Sequence, residues 1–327
     1  MSRRLKGMSG PHKIRTTLSN KDDVVAPAGT LRLGLCCLFA GQPIRFRTTT
    51  AAVLQTLPRA EQLRRLAVLV AANAEALLAA LEFCSAHGIG SFRITSTLLP
   101  GKTHPVVGYQ IEDLPGTHKL VNQFRHCGKF AQNHGIRTGF HPDQFVVLNS
   151  PDAGIVDRSI ADIESQAEMA EWIQSDTVNI HGGGGYGDKP AALERFRKNL
   201  DLLSDRARSR LTVENDDKTF TPADLLPICR DEGVPLVYDV HHHRCCPDHL
   251  SIEEASRAAF ATWNREPLFH ISSPLLGWQG PQQRRHHDYI DPGDFPTAWT
   301  GLAITVEVEA KAKELAVARL KRDLKLT

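Results

Sequence analysis

The sequence predicts one eight-stranded parallel α/β barrel of the TIM type behind a basic tail. Three observations lead there. Short apolar runs alternate repeatedly with stretches of helical period, the 327 residues exceed the usual size of about 250 for such a barrel, and most runs end on His, Asp or Glu. Strands alternating with helices imply parallel βαβ units, because parallel neighbours need a crossover connection. A doubly wound open sheet would want a Gly-rich turn after its first strand, and Cys36-Cys37-Leu38-Phe39 stands there instead.

Residues 1–30 mix basic residues with Ser, Gly and Pro and show no apolar period, which reads as a mobile tail; residues 31–327 carry the barrel. Leu31–Cys36 is a short buried-strand pattern, and Pro58–His87 has helical period closed by Gly88 and Gly90. Strands follow at Ser91–Thr95, Ile136–His141 and Asp176–His181, with helices at Gly116–Asn133 and Asp157–Trp172. A helix over Pro190–Arg206 has its proline suited to the first turn. Leu211–Glu214, Val234–Val240, Leu268–Ile271 and Ile304–Glu309 complete the strands; Pro222–Glu232 and Ser251–Trp263 are the helices between them.

Hydrophobic residues make up 41% of the chain, enough for a large core, and no run approaches the roughly 18 apolar residues of a membrane span. The start Met1–Lys6 is basic but lacks the apolar core of a secretory signal, so a cytoplasmic protein is expected, or a nuclear one in a eukaryote. Seven cysteines without a CxxC pair argue against a disulfide framework. A net charge of +2 leaves no overall nucleic-acid footprint, whereas fifteen histidines point to metal or proton chemistry where they cluster.

In such a barrel the active site lies at the C-terminal edge of the strands. This chain sends there His104 after the second strand, His141, His181, Glu214, and Asp239 followed by His241, His242 and His243. His270, then His286 and His287, and finally Glu307 and Glu309 complete the rim. Singly, each has a more ordinary role as a loop hydrogen-bonder or salt-bridge partner. Together, buried carboxylates without a cation are costly, and mixed nitrogen and oxygen donors suit zinc, manganese or iron. The donors outnumber the three or four that one ion needs, so two or three divalent ions are expected. Period two leaves Glu307 and Glu309 undecided, since both point the same way. In His181–Lys189 four glycines clear a path to the backbone, with Tyr186 and Lys189 placed to meet a phosphate; a flexible loop is the competing reading.

Phe92-Arg93-Ile94 with His104-Pro105, Phe140–Phe145, Ile180–Lys189 and Val213–Asp216 are ordered motifs, followed by Asp239–His243, His270–Ser273, His286–Tyr289 and Val308–Lys311. From about Leu31 to Ala318 they resemble the UV damage endonuclease family of TIM-barrel DNA repair enzymes. The resemblance implies His104, His141, His181 and Glu214 around a first ion, Glu214, Asp239, His270 and Glu309 around a second, and His242 and His286 at a third, with manganese or zinc as the metals. It selects Glu309 over Glu307 and sets Lys311 against a phosphate or ligand carboxylate, with Glu214 bridging. It further implies a monomer hydrolysing the phosphodiester 5′ of a distorted lesion in double-stranded DNA, with Gln144 and Phe145 probing the damaged strand. Three positions depart from the family pattern: Phe145 replaces a tyrosine, Leu268 a lysine thought to be modified into a metal-binding carbamate, and Leu35 an aromatic of the lesion pocket. A metal-dependent sugar isomerase or epimerase, and a damaged-DNA-binding protein with a decayed metal site, are the alternatives.

Overall fold

The computed structural model describes residues 29–326; the tail expectation falls largely on residues 1–28 and lies outside them. In chain order the elements are β1 (Arg32–Cys36), α1 (Ala51–Gln55), α2 (Arg59–Ala86), β2 (Ser91–Ile94), α3 (Thr117–Asn133), β3 (Arg137–Phe140) and α4 (Ala153–Ile173). Then come β4 (Thr177–His181), α5 (Lys189–Leu200), α6 (Asp205–Arg208), β5 (Leu211–Glu214), α7 (Pro222–Glu232) and β6 (Leu236–Asp239). The chain finishes with α8 (Val240–Cys245), α9 (Ile252–Phe260), β7 (Leu268–Ile271), β8 (Thr305–Val308) and α10 (Glu314–Asp323). The strands close in sequence order into a parallel barrel, with β8 paired to β1 from Arg32 opposite Thr305 to Leu35 opposite Val308.

Local chemistry sets many boundaries. Asp152 caps α4 by accepting from Gly154 N and Ile155 N. Thr221 and Asp224 form a reciprocal capping box at α7, where Pro222 occupies the first turn and left-handed Gly233 ends the helix. The single helix expected over Pro190–Arg206 is two, because Ser204 caps a new start at α6. The three consecutive histidines lie in α8, which Asp239 caps through His242 N, and not in a loop. Among the described residues α2 is long and apolar enough to cross a membrane; in the barrel it packs along α3 and β2 with Leu66, Val70 and Leu77 buried.

Alternation along the strands sorts side chains into two environments. Outward residues such as Leu33, Phe92, Phe140, Ile180, Val213 and Phe269 form the apolar core between barrel and helices. Leu35 belongs to this set and is fully buried in the core, and it does not line the cleft beside the rim. The inward positions are mostly small or polar. Gly34 faces Glu307 and Ser91, where an added Cβ would come within 3.1 Å of each, and Asn179 and Thr212 are bonded at 3.0 Å. The interior is thus given over to groups that support the rim.

Candidate metal centre

Glu214, at the end of β5, is the hub. Its Oε2 accepts from Asn179 Nδ2 at 2.6 Å and lies 2.9 Å from His141 Nε2. Its Oε1 stands 3.1 Å from His270 Nδ1 and 3.3 Å from His242 Nδ1 without a well-formed hydrogen bond. His141 Nδ1 donates to Pro142 O, since a carbonyl only accepts, which turns Nε2 toward the centre of the mouth. Asn215 exchanges two hydrogen bonds with the Asp239 backbone and so fixes that carboxylate at the end of β6. Below His270, Glu307 Oε2 stands 3.1 Å from its Nε2 without a well-formed hydrogen bond, and its Nδ1 faces Glu214 and Glu309.

The structure distinguishes the two β8 carboxylates that strand periodicity leaves equivalent. Glu307 lies deep, between His270 and Arg93, whereas Glu309 reaches the cleft. Arg93 of β2 donates to Glu309 Oε1 at 2.7 Å and stands 3.4 Å from Glu307. Burial alone would raise the Glu214 carboxyl, but His270, His181, the hydrogen bond from His141 and the nearby His242 ring hold it well below the usual carboxylate range. For Glu309, Arg93 and His270 outweigh burial in the same direction. Burial would depress His270 and His242, yet the facing carboxylates raise both well above ordinary histidine; His181 goes down because burial dominates there.

Several buried atoms here have no hydrogen-bond partner: His181 Nδ1, Glu214 Oε1, Asp239 Oδ2 and His270 Nδ1. Orphaned buried polar atoms cost about 1–3 kcal/mol each, and a divalent cation would satisfy these donors. Two groups have donor atoms all within 4.8 Å of one another, His141 with His181 and Glu214, and Glu214 with Asp239 and His242. Glu214 belongs to both. His242 thus lies within reach of Glu214 and Asp239, and its ring is also 6.4 Å from that of His286. His286 stands at the edge, its Nδ1 3.2 Å from Ser272 Oγ and 3.8 Å from Glu309. His104 is not brought in: its Nδ1 accepts from Val106 N and Val107 N, and it lines a separate cleft with Glu164 and Arg206. Leu268 points inward one layer below His270, buried, and offers no donor.

Beside the centre opens a cleft of about 870 Å³, with Gln144, Phe145 and Tyr186 on its wall. Phe145 is 76% exposed, held out by a turn in which Asp143 accepts from its N–H. The glycine run has a packing role: an added Cβ would meet Phe220 at Gly182, Asn149 at Gly183, the Tyr186 ring at Gly184 and Thr219 at Gly185, while Gly183 and Gly184 also line the cleft. Buried Asn149 donates to Gly182 O and Gly184 O and pins the loop. Lys189 lies outside the cleft wall, paired with Asp224 at 2.9 Å above the Phe220 ring, because it opens α5 on the outer side. Lys311 is exposed, and its backbone N–H donates to His287 O. Asn179 and Asn215 escaped the sequence reading as supports of the centre; the detectable signal was a polar residue two places before, or next to, a rim donor.

The model of the UV-endonuclease UvdE family matches residues 31–327. The chain belongs to that family. The UV DNA damage endonuclease of Deinococcus radiodurans is 36% identical over 301 residues, 89% of this chain and 94% of the relative. The crystal structure of SacUVDE superposes with a TM-score of 0.80 at 26% identity, covering 90% of this chain and 98% of that one. Endonuclease IV from Thermus thermophilus, at TM-score 0.60 and 16% identity over 90% of this chain and 97% of that one, shares the barrel. As a UvdE-family member the protein is a DNA repair endonuclease acting on DNA, and the sugar-isomerase reading falls away.

Proposed function

We propose that the protein is a metal-dependent hydrolase that cuts the phosphodiester 5′ of UV photoproducts and other helix-distorting lesions in double-stranded DNA. The observation that carries this reading is the place of Glu214 in both donor groups at the floor of an open cleft. His141, His181 and Glu214 would hold one ion; Glu214, Asp239 and His242 a second, with His270 and Glu309 beside it. Bound there, divalent ions supply a water of lowered pKa and positive charge for the phosphate oxygens and the leaving oxygen. Glu214 would serve both ions, Glu307 would favour one tautomer of His270, and Arg93 steadies Glu309. Phe145 offers a stacking face without a phenol, and Gln144 a hydrogen-bonding edge, to bases whose stack the lesion has weakened. Tyr186 lines the path of the backbone, while Lys311 stays at the margin.

The test is nicking of a UV-irradiated duplex by the Mn²⁺-loaded protein, with mapped ends and an EDTA control. A single cut 5′ of each photoproduct, abolished by EDTA, is expected; intact DNA with loaded protein would overturn the proposal. Glu214→Ala should carry fewer Mn²⁺ ions by elemental analysis and lose nicking.

A further inference from the structure

The cleft wall carries a charge pattern that the proposed chemistry does not use. Six carboxylates line it against three permanent cations, Arg158, Lys218 and Arg284, with the His242 ring as a fourth positive group in the absence of metal, although its substrate is a polyanion. Glu214 and Glu309 belong to the centre, and two others are spent on turns: Asp216 accepts from the N–H groups of Lys218, Thr219 and Phe220, and Asp143 from that of Phe145. Asp162 and Asp217 have neither task. Asp162 forms no ion pair among the described residues, and Asp217 stands 3.5 Å from Arg284, tying up the cation nearest His286.

We propose that Asp162 and Asp217 make docking of DNA conditional on the metal: without ions the cleft repels phosphates, and with ions it attracts them. The inference rests on the two-ion reading of the centre. A cleft between low-dielectric walls focuses the field of its charges, so a surplus of carboxylates acts on an entering strand as a whole. Two divalent ions outweigh that surplus and reverse its sign. Arg284 then leaves Asp217 for a phosphate, because a phosphate beside a cationic centre competes well for a guanidinium. Linkage requires the converse as well: bound DNA tightens the ions by the same factor. An enzyme that has lost its metal thereby releases damaged sites instead of blocking them.

The probe is a short fluorescein-labelled duplex carrying one pyrimidine dimer, with a phosphorothioate at the bond to be cut. Its affinity is measured by anisotropy for the full chain treated with EDTA and for the chain loaded with Mn²⁺, at low and moderate salt. Loading is expected to tighten binding about tenfold at low salt, and less as salt rises, in the usual range of coupling between sites. The double variant Asp162→Asn with Asp217→Asn should bind more tightly in EDTA and close the gap to about threefold. A gap below twofold in the unaltered protein, or one that the double variant leaves unchanged, overturns the proposal. Nicking of UV-irradiated DNA by the same loaded sample separates the two readings: a cutting enzyme without the gap loses only this inference, whereas a loaded protein that does not cut loses the reading beneath it.

Discussion

Glu307 touches no open space, yet it determines how His270 is presented. A carboxylate behind a histidine fixes its tautomer and increases its basicity, and loss of such a partner typically costs 10–100-fold in metal affinity. Glu307→Gln is therefore expected to weaken Mn²⁺ binding at least about tenfold by calorimetric titration, with the barrel intact by circular dichroism. At the cleft rim, Phe145→Ala should cost about 1–3 kcal/mol of affinity for damaged DNA, the usual worth of one stacked base, while Mn²⁺ stoichiometry stays unchanged; Phe145→Tyr should keep that affinity. His141, His181 and Glu214 were legible in the sequence because each ends an apolar run, and the geometry of a parallel barrel leaves such residues one destination. His104 was not: it lies in a long stretch after β2 without periodicity, where its own neighbours Val106 and Val107 capture its ring.

At the level of elements, the loop between β4 and α5 shows how a pattern can mislead. A run of glycines looks like room for a ligand, and part of it does line the cleft, but Gly183 adopts φ +86° and leaves no room for a Cβ beside Asn149. Gly183→Ala should cost about 1–3 kcal/mol of stability from the left-handed backbone alone, read as a lower thermal midpoint. The sequence held no sign of this, because the partner lies more than thirty residues earlier in the chain. The strands were legible to within one or two residues at each end, since alternation is strict where one face meets the core; the break between α5 and α6 was missed because period 3.6 runs on through it. Near α8, Asp248 accepts from Ala223 N, Leu250 N and His243 Nε2, and these outweigh burial to hold its carboxyl below the usual aspartate range. A depressed folded pKa means stability that is complete above the unfolded value near 4 and lost as the pH falls through the folded one. Asp248→Asn should thus lower the melting temperature at neutral pH and flatten its fall on acidification.

For the molecule as a whole, the donors of the proposed centre come from the ends of β4, β5 and β6, from His141 just past β3 and from His242 in α8, with Glu309 just past β8, so each ion would tie together three neighbouring elements. Anything that binds the folded state alone raises its stability by mass action, by about 2.7 kcal/mol at a hundredfold excess over Kd. Saturating Mn²⁺ should accordingly raise the thermal midpoint of the protein, and EDTA should return it; equal midpoints would contradict an ion shared between strands. The closed ring was legible from the count of alternating units. Its polar lumen was legible only in part, because Arg93, Asn179 and Glu307 act on neighbours that folding alone brings near. The seam between β1 and β8 joins residues some 270 positions apart. During synthesis the first strand must wait for almost the whole chain to emerge before its last partner exists, and Glu309 emerges with that partner. A nascent chain that still lacks β8 therefore has neither the closed ring nor the carboxylate of Glu309 beside Glu214 and His270.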